Sequence, residues 1–421
     1  MAFYSETKVA PRHVTSEASV PFDQAYKEAI EKKILPGYAL IAGGRDGNIL
    51  YSKADGVASL KEGETQPFKL DTICWIASMT KLLTSVACLQ AVEAGLLELE
   101  KPVTETLPEV GKYGILTGWN DEKNEGIYEQ HKTPVTLRML LCHTSGYEYD
   151  WFSPLLAKWR ASRNEQPWTG PTVEDKTTLP LLFEPGTSFR YGGSPDWTGK
   201  LIERVTGKSL EEFMVEKIFE PLGIKDLTFY PKKREDMKDR LATLSTLSET
   251  GEAPAKDASD QDMLFGGTDC LGGGGGYGSA QDFFTFLQAV LRRDNRLLNS
   301  ESYDELFRPQ LNDEVKTALN EYLRSSPAHA QFLGMSLPQE IEKTWSFAGL
   351  TVEQDLEGRM LAGTHTWGGV PSMTWYMDHK AGICGVAFCQ IMPPMFPGVL
   401  ALHEQFQRAM YAKATKGEQR E

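Results

Sequence analysis

The chain lacks any uninterrupted apolar run near the ~18–20 residues needed to cross a bilayer. Its first stretch, Met1 to Lys27, is polar and has no apolar core of a secretory leader. Positive charge is scarce: 44 Lys+Arg against 58 Asp+Glu leave a net charge of -14. A polyanionic partner is repelled, which argues against nucleic acid and an anionic membrane surface. The six cysteines, Cys74, Cys88, Cys142, Cys270, Cys384 and Cys389, form no C-x-x-C pair. Their apolar contexts read as buried, reduced thiols of a cytoplasmic protein. The seven histidines show no metal spacing. His403-Glu404 falls in a helical pattern, but Gln407 stands where H-E-x-x-H needs its second His. Neither a metal nor another cofactor is expected. G-x-S-x-G is also absent, which argues against the nucleophile elbow of α/β-hydrolases.

What remains is a globular composition, 41% hydrophobic and 24% charged, over 421 residues. At ~100–200 residues per domain this means two domains, or one large core with insertions. At the N-terminal end, Asp23 opens a helix with Ala25, Tyr26, Ala29 and Ile30 on one face, and Pro36-Gly37 ends it. Tyr38–Ala42 and Ile49–Tyr51 flank Asp46-Gly47, a strong hairpin signal. At the C-terminal end, Trp345–Gln354, Arg359–Gly363, Met373–Met377 and Ile383–Gln390 read as strands, and a helix covers Val399–Ala412. The middle reads as helix and long loop, with helices over Met79–Ala94, Leu137–Leu141, Asp196–Val205, Leu210–Ile218 and Ala280–Arg292. No internal repeat is visible. The pattern predicts an α+β fold in which both termini build one antiparallel sheet, flanked by helices. We expect 1–72 and 341–421 to form the two halves of that α/β domain. Residues 73–340 then form a large, mainly helical insertion, and the site lies between the two layers.

Three constellations carry chemistry. The first is Ser78-Met79-Thr80-Lys81 at a helix start. A Ser there has free backbone N–H groups beside it, and Lys81 returns to the same helical face. A partly desolvated Lys has a lowered pKa and can take the Ser proton. Ser5-Glu6-Thr7-Lys8 fits the same spacing but lies in a polar tail, whereas Ser78 follows Cys74-Trp75-Ile76-Ala77 and leads an apolar helix. The second is Tyr191, held in the turn-rich run Pro185–Ser194, where a phenol beside an ammonium is stabilised as phenolate and shares the base role. The third is His365-Thr366-Trp367-Gly368-Gly369-Val370, whose paired glycines let a carbonyl approach backbone N–H groups. Each alone has a structural alternative: a capping Ser with a solvated Lys, a Tyr with a satisfied hydroxyl, a strand-end bulge. The run Gly272–Gly276 with Tyr277-Gly278 formally contains G-x-G-x-x-G. No strong strand precedes it and no Gly-Lys-Ser/Thr follows, so a loop lining a cleft is the better reading.

Taken together and in order, these pieces resemble the serine β-lactamase-like family. That family comprises class C β-lactamases, D-alanyl-D-alanine peptidases, family VIII carboxylesterases and fungal acyltransferases of the statin-transesterase type. The likeness runs from Ile34-Leu35-Pro36-Gly37 to the last helix. It includes Leu140-Leu141-Cys142-His143-Thr144-Ser145-Gly146, similar to L-L-x-H-T-S-G, and Pro221-Leu222-Gly223-Ile224, similar to P-L-G-[IM]. The resemblance implies Ser78 as acyl-accepting nucleophile, and Lys81 with Tyr191 as the base pair. It implies an oxyanion hole from the N–H groups of Ser78 and Val370, or of Gly369 after a one-residue slip. Two positions depart from the lactamases: Trp367 replaces the Lys of K-T-G, and Gly193 the Asn of Y-x-N. Trp367-Gly368-Gly369 is instead similar to the family VIII esterases, and His365 is the residue that could restore positive charge.

Ser78–Leu83 with Thr84, the run Tyr191-Gly192 to Asp196-Trp197-Thr198-Gly199-Lys200, and Ala409-Met410-Tyr411-Ala412 resemble the fungal transesterases most. Trp75 takes a place where an Arg is expected in that group. The resemblance implies transfer of an acyl group from a thioester or ester to an alcohol of a polyketide-like metabolite. The donor is a small molecule or is borne on a carrier protein of a polyketide synthase, and the acceptor is a small molecule. Tyr147, Tyr149, Trp151, Phe152 and Trp159 are expected to wall the acceptor pocket, with Trp367, Gly368 and His365 also touching substrate. The alternative is a carboxylesterase using water. β-Lactamase activity and a non-catalytic binding protein rank below both.

Overall fold

The computed structural model describes residues 22–248 and 250–418, so Ser5–Lys8 lies outside the described residues. Helix α1 (Phe22–Glu31) carries Asp23 in its first turn and buries Tyr26 and Ala29. Strands β1 (Gly37–Gly44) and β2 (Ile49–Gly56) form the hairpin that Asp46-Gly47 predicts. Asp46 closes the turn by accepting the Asn48 N–H at 3.0 Å. Among the helices that follow are α2 (Thr80–Glu93), α3 (Leu137–Leu141), α4 (Ser194–Thr206) and α5 (Ala280–Leu291). The C-terminal end supplies β3 (Lys343–Ser346), β4 (Gly349–Val352), β5 (His365–Gly369), β6 (Met373–Asp378) and β7 (Ile383–Phe388), then helix α6 (Pro397–Glu418). These strands make one antiparallel sheet in the order β3-β4-β5-β6-β7-β1-β2, so both ends of the chain build it.

The sheet is covered on both faces. Ala39 pairs with Phe388, so the two share a face, and Phe388 meets Phe283 of α5 at 6.0 Å. Tyr38, one residue earlier, points the other way and meets Tyr26 of α1 at 4.5 Å. The Tyr26 hydroxyl also bonds His403 of α6 at 2.6 Å, which ties the two terminal helices together. Among the described residues no helix is long and apolar enough to cross a membrane. All six cysteines are buried and unbridged.

Three expectations need correction. Trp345–Gln354 is a hairpin rather than one strand: Ser346 pairs with Gly349, whose φ of 144° lets the chain reverse. Arg359–Gly363 is loop. Two of its central N–H groups are taken by carboxylates, Leu361 by Asp378 at 3.1 Å and Ala362 by Asp355 at 2.7 Å, and the Arg359 N–H turns back to the Leu356 carbonyl at 2.9 Å, so no continuous ladder forms. Within the middle region, Ile115–Asn120 and Glu125–Glu129 form a hairpin that helical reasoning missed.

One buried ion pair stiffens the aromatic segment beside the site. Arg160 Nε donates to Asp150 at 2.9 Å, with both side chains almost fully buried. Its Nη2 donates to the carbonyls of Asp175 and Lys176 at 3.0 and 2.8 Å, while Asp150 also accepts the Trp168 N–H at 3.0 Å. Arg160→Met should therefore strand a buried carboxylate and two carbonyls. We expect a loss of about 3–5 kcal/mol in urea unfolding.

Candidate active site

Ser78 lies in a 3₁₀ turn, Ala77–Met79, between the short strand Ile73–Trp75 and α2. From Thr72 through Leu89 it is the sole residue that is not buried. The turn is tight: Ala77 has φ 46°, in the left-handed region that an Ala side chain disfavours. A hydroxyl is thus presented on an otherwise buried segment.

One turn on, the Lys81 amine donates to Ser78 Oγ at 3.3 Å, to the Tyr149 hydroxyl at 3.3 Å and to the Gly273 carbonyl at 2.6 Å. Burial strips the ammonium of water and pushes its pKa down to about 7, and the buried Asp196 carboxylate pulls it back up. Asp196 and Lys81 both bond the backbone of Gly273: Asp196 Oδ1 accepts the Gly273 N–H at 2.8 Å, while Lys81 donates to the carbonyl. The glycine-rich run therefore lines the cleft. Gly273 has to be Gly, because a Cβ there would stand 2.7 Å from Asp196 Oδ2. Motif reasoning left Asp196 without a role. Its helical spacing, two residues into α4, gave no hint that it faces Lys81 across 115 residues.

Asp196→Asn removes the charge that favours the ammonium. The acid limb of the kcat/KM profile is expected to move to lower pH. An unchanged limb would show that Asp196 does not set the Lys81 pKa.

Tyr191 closes the cluster. Its ring lies 4.5 Å from the Lys81 nitrogen, and its hydroxyl accepts the Trp367 indole N–H at 3.1 Å and is close enough to Ser78 to feel its hydroxyl. Burial outweighs both contacts and raises the phenol, so it stays protonated at neutral pH. That corrects the phenolate expectation.

Strand β5 ends against the Ser78 turn. A Cβ on Gly369 would come within 2.6 Å of Ile76 O, so only Gly allows this approach. Gly369 is the last residue of the ladder, paired with Met373, and Val370 is the first beyond it. Neither the Ser78 nor the Val370 N–H donates to a backbone carbonyl among the described residues. Two unspent donors beside a hydroxyl can hold a carbonyl oxygen that turns negative.

Other expected residues are placed differently. Gly368 is packed beneath Met373 O, Met335 and Met395, and serves fit rather than contact with substrate. His365 does not enter the site: its Nδ1 bonds Ser346 and Thr351 at 3.1 and 2.9 Å. Burial drops its pKa to about 3, so it is neutral and supplies no positive charge. Of the five aromatics, Tyr149 reaches Lys81 and carries Trp151 stacked at 4.2 Å. Tyr147 spends its hydroxyl on the Gly111 N–H, and Trp159 its N–H on Tyr128; these two and Phe152 are packing residues. A wall the sequence did not suggest lies on the other side. Trp75, Ala77, Leu244, Ala258 and Met392 form a small apolar cluster, lipped by the partly exposed Met263, Leu264, Tyr277 and Val370. The Trp75 indole is fixed by the Gly274 carbonyl at 2.7 Å.

An antiparallel sheet covered by helices, with Ser, Lys and Tyr converging on free backbone donors, defines a serine acyl-transferring site of β-lactamase type. The Beta-lactamase family model matches residues 22–409, and the chain belongs to that family. It is 36% identical over 404 residues to a lovastatin esterase of Penicillium rubens, covering 94% of this chain and 100% of the relative. It is 32% identical over 405 residues to monacolin J acid methylbutanoyltransferase of Aspergillus terreus, covering 94% and 97%. A mutant simvastatin synthase from Aspergillus terreus matches in structure with a TM-score of 0.86 at 32% identity, over 94% of this chain and 95% of that one.

Proposed function

We propose that this protein is a serine O-acyltransferase. It moves an acyl group from a thioester or ester donor, through an acyl-Ser78 intermediate, to an alcohol of an apolar, polyketide-like metabolite. The carrying observation is the Ser78 hydroxyl, partly exposed and 3.3 Å from an amine whose pKa burial has brought to about 7. In this reading free-base Lys81 takes the Ser78 proton as Oγ attacks the acyl carbonyl. The oxyanion is held by the N–H groups of Ser78 and Val370. Tyr191, a neutral phenol whose ring packs against the Lys81 amine, gives its proton to the departing thiolate or alkoxide and recovers one from the Lys81 ammonium as the site relaxes. An alcohol then enters, and the same steps run in reverse. The apolar lip of Met263, Leu264, Tyr277 and Val370 favours such an acceptor over water. We place the donor on a carrier protein in the cell, and the whole reaction in the cytoplasm.

Hydrolysis is the second reading, favoured by the 36% identity to a lovastatin esterase. Incubation with short-chain acyl thioesters and apolar secondary alcohols separates the two. Ester is expected as the main product. Free acid as the main product would make the protein a carboxylesterase, and no turnover at all would remove both readings.

A further inference from the structure

Beneath Ser78 and Lys81 lies a small cavity whose wall includes Ser78, Lys81, Ser85, His143, Trp367 and Trp375, with room for about one water molecule. Two of these residues carry buried nitrogens with no partner among the described residues, His143 Nε2 and Trp375 Nε1. Trp375 faces its ladder partner Trp367, so both indoles lie on the α2 side of the sheet. The other ring nitrogen of His143, Nδ1, is spoken for: it faces the Gly192 N–H at 3.4 Å, next to Tyr191. To accept that N–H, Nδ1 must be bare, which puts the imidazole proton on Nε2. Both orphans are then donors. An orphaned buried N–H is destabilising, and two on the wall of one cavity call for an acceptor.

We propose that this cavity is a site for a single buried water, which accepts from His143 Nε2–H and Trp375 Nε1–H, and that His143 is thereby a positioning residue for Tyr191. The water fixes the His143 tautomer, and the tautomer fixes the loop through Gly192. The His143 ring also packs against Tyr191 at 4.7 Å and edge-on against Trp345 at 5.1 Å, so its orientation is set from three sides. Water donates its own hydrogens to the hydroxyls of the same wall, Ser85 being one helical turn beyond Lys81. The imidazole stays neutral, because burial and the nearby Lys81 both disfavour its charge.

A crystal structure of the protein is expected to show one ordered water within about 3.2 Å of both nitrogens. Imidazole ¹⁵N shifts are expected to report His143 as the Nε2–H tautomer. A dry cavity, or the Nδ1–H tautomer, overturns the proposal. In turnover, His143→Phe should lower kcat about 30-fold with KM changed less than about twofold. His143→Asn, which suits the φ of 60° at this position and keeps an acceptor for Gly192, should recover most of that loss. Trp375→Phe, which touches neither Gly192 nor Tyr191, should lower kcat about threefold. Equal losses for the Phe and Asn variants would reduce His143 to packing and overturn its positioning role. The turnover arm rests on the acyl-transfer reading. The water and tautomer measurements need no substrate, so failure of that reading would leave them intact.

Discussion

Ser78→Ala is expected to lower kcat by roughly 10⁴- to 10⁶-fold with every acyl donor, while the protein stays folded. The size follows from what is removed: the atom that forms the covalent bond, with no second hydroxyl placed between Lys81 and the free N–H groups of Ser78 and Val370. Tyr149 also touches Lys81, but its phenol is buried and raised, so it is no substitute nucleophile. Stability should change by less than about 1 kcal/mol. Ser78 is partly exposed, and Lys81 keeps the Gly273 carbonyl at 2.6 Å. Intact mass gives the second check. Wild type incubated with a thioester and no alcohol should gain the mass of one acyl group, and the variant should gain none. Equal turnover by both proteins would end the assignment of Ser78.

How far the sequence reaches is decided by the range of the forces involved. The Asp46-Gly47 turn, the return of Lys81 to the Ser78 face and most of the strands at both ends follow from spacing over a few residues and are in the structure. What required the fold was missed. Asp196 meets Lys81 across the backbone of Gly273, three segments that no local pattern links. The apolar wall and its lip bring together Trp75, Leu244, Met263, Tyr277 and Met392, from segments that no local pattern joins. His365 misled for a geometric reason. Two residues before Trp367 on one strand, it shares that face but lies ~6.6 Å further along, which is the reach of two residues. That distance takes it out of the cleft and into the hydroxyls of Ser346 and Thr351. Arg359–Gly363 reads as strand in composition and fails as one because Asp378 and Asp355 intercept the N–H groups of Leu361 and Ala362 and Arg359 turns back on Leu356.

Lys81→Met tests the other half of the mechanism and is expected to lower kcat by about 10³- to 10⁴-fold. Met keeps most of the side-chain volume, so the loss reports the base. The accompanying pH behaviour is more specific. In the wild type the amine must be free, so kcat/KM should rise with pH through about 7. Folding stability should move the same way, because the unfolded chain holds the Lys81 proton up to its ordinary pKa of 10.5, whereas the folded chain releases it near 7. Between these values the unfolded state binds more protons, and stability rises with pH. Below about 7 both states are protonated and the full burial penalty is present. The Met variant has no proton to exchange there, so its urea midpoint should lose that rise between pH 7 and 9. Asp196, deprived of the ammonium that lowers it, should then titrate above its wild-type value of about 6. A variant that kept both the rate and the pH-dependent midpoint would mean that Lys81 is protonated and solvated, and that the Ser78 proton leaves by another route.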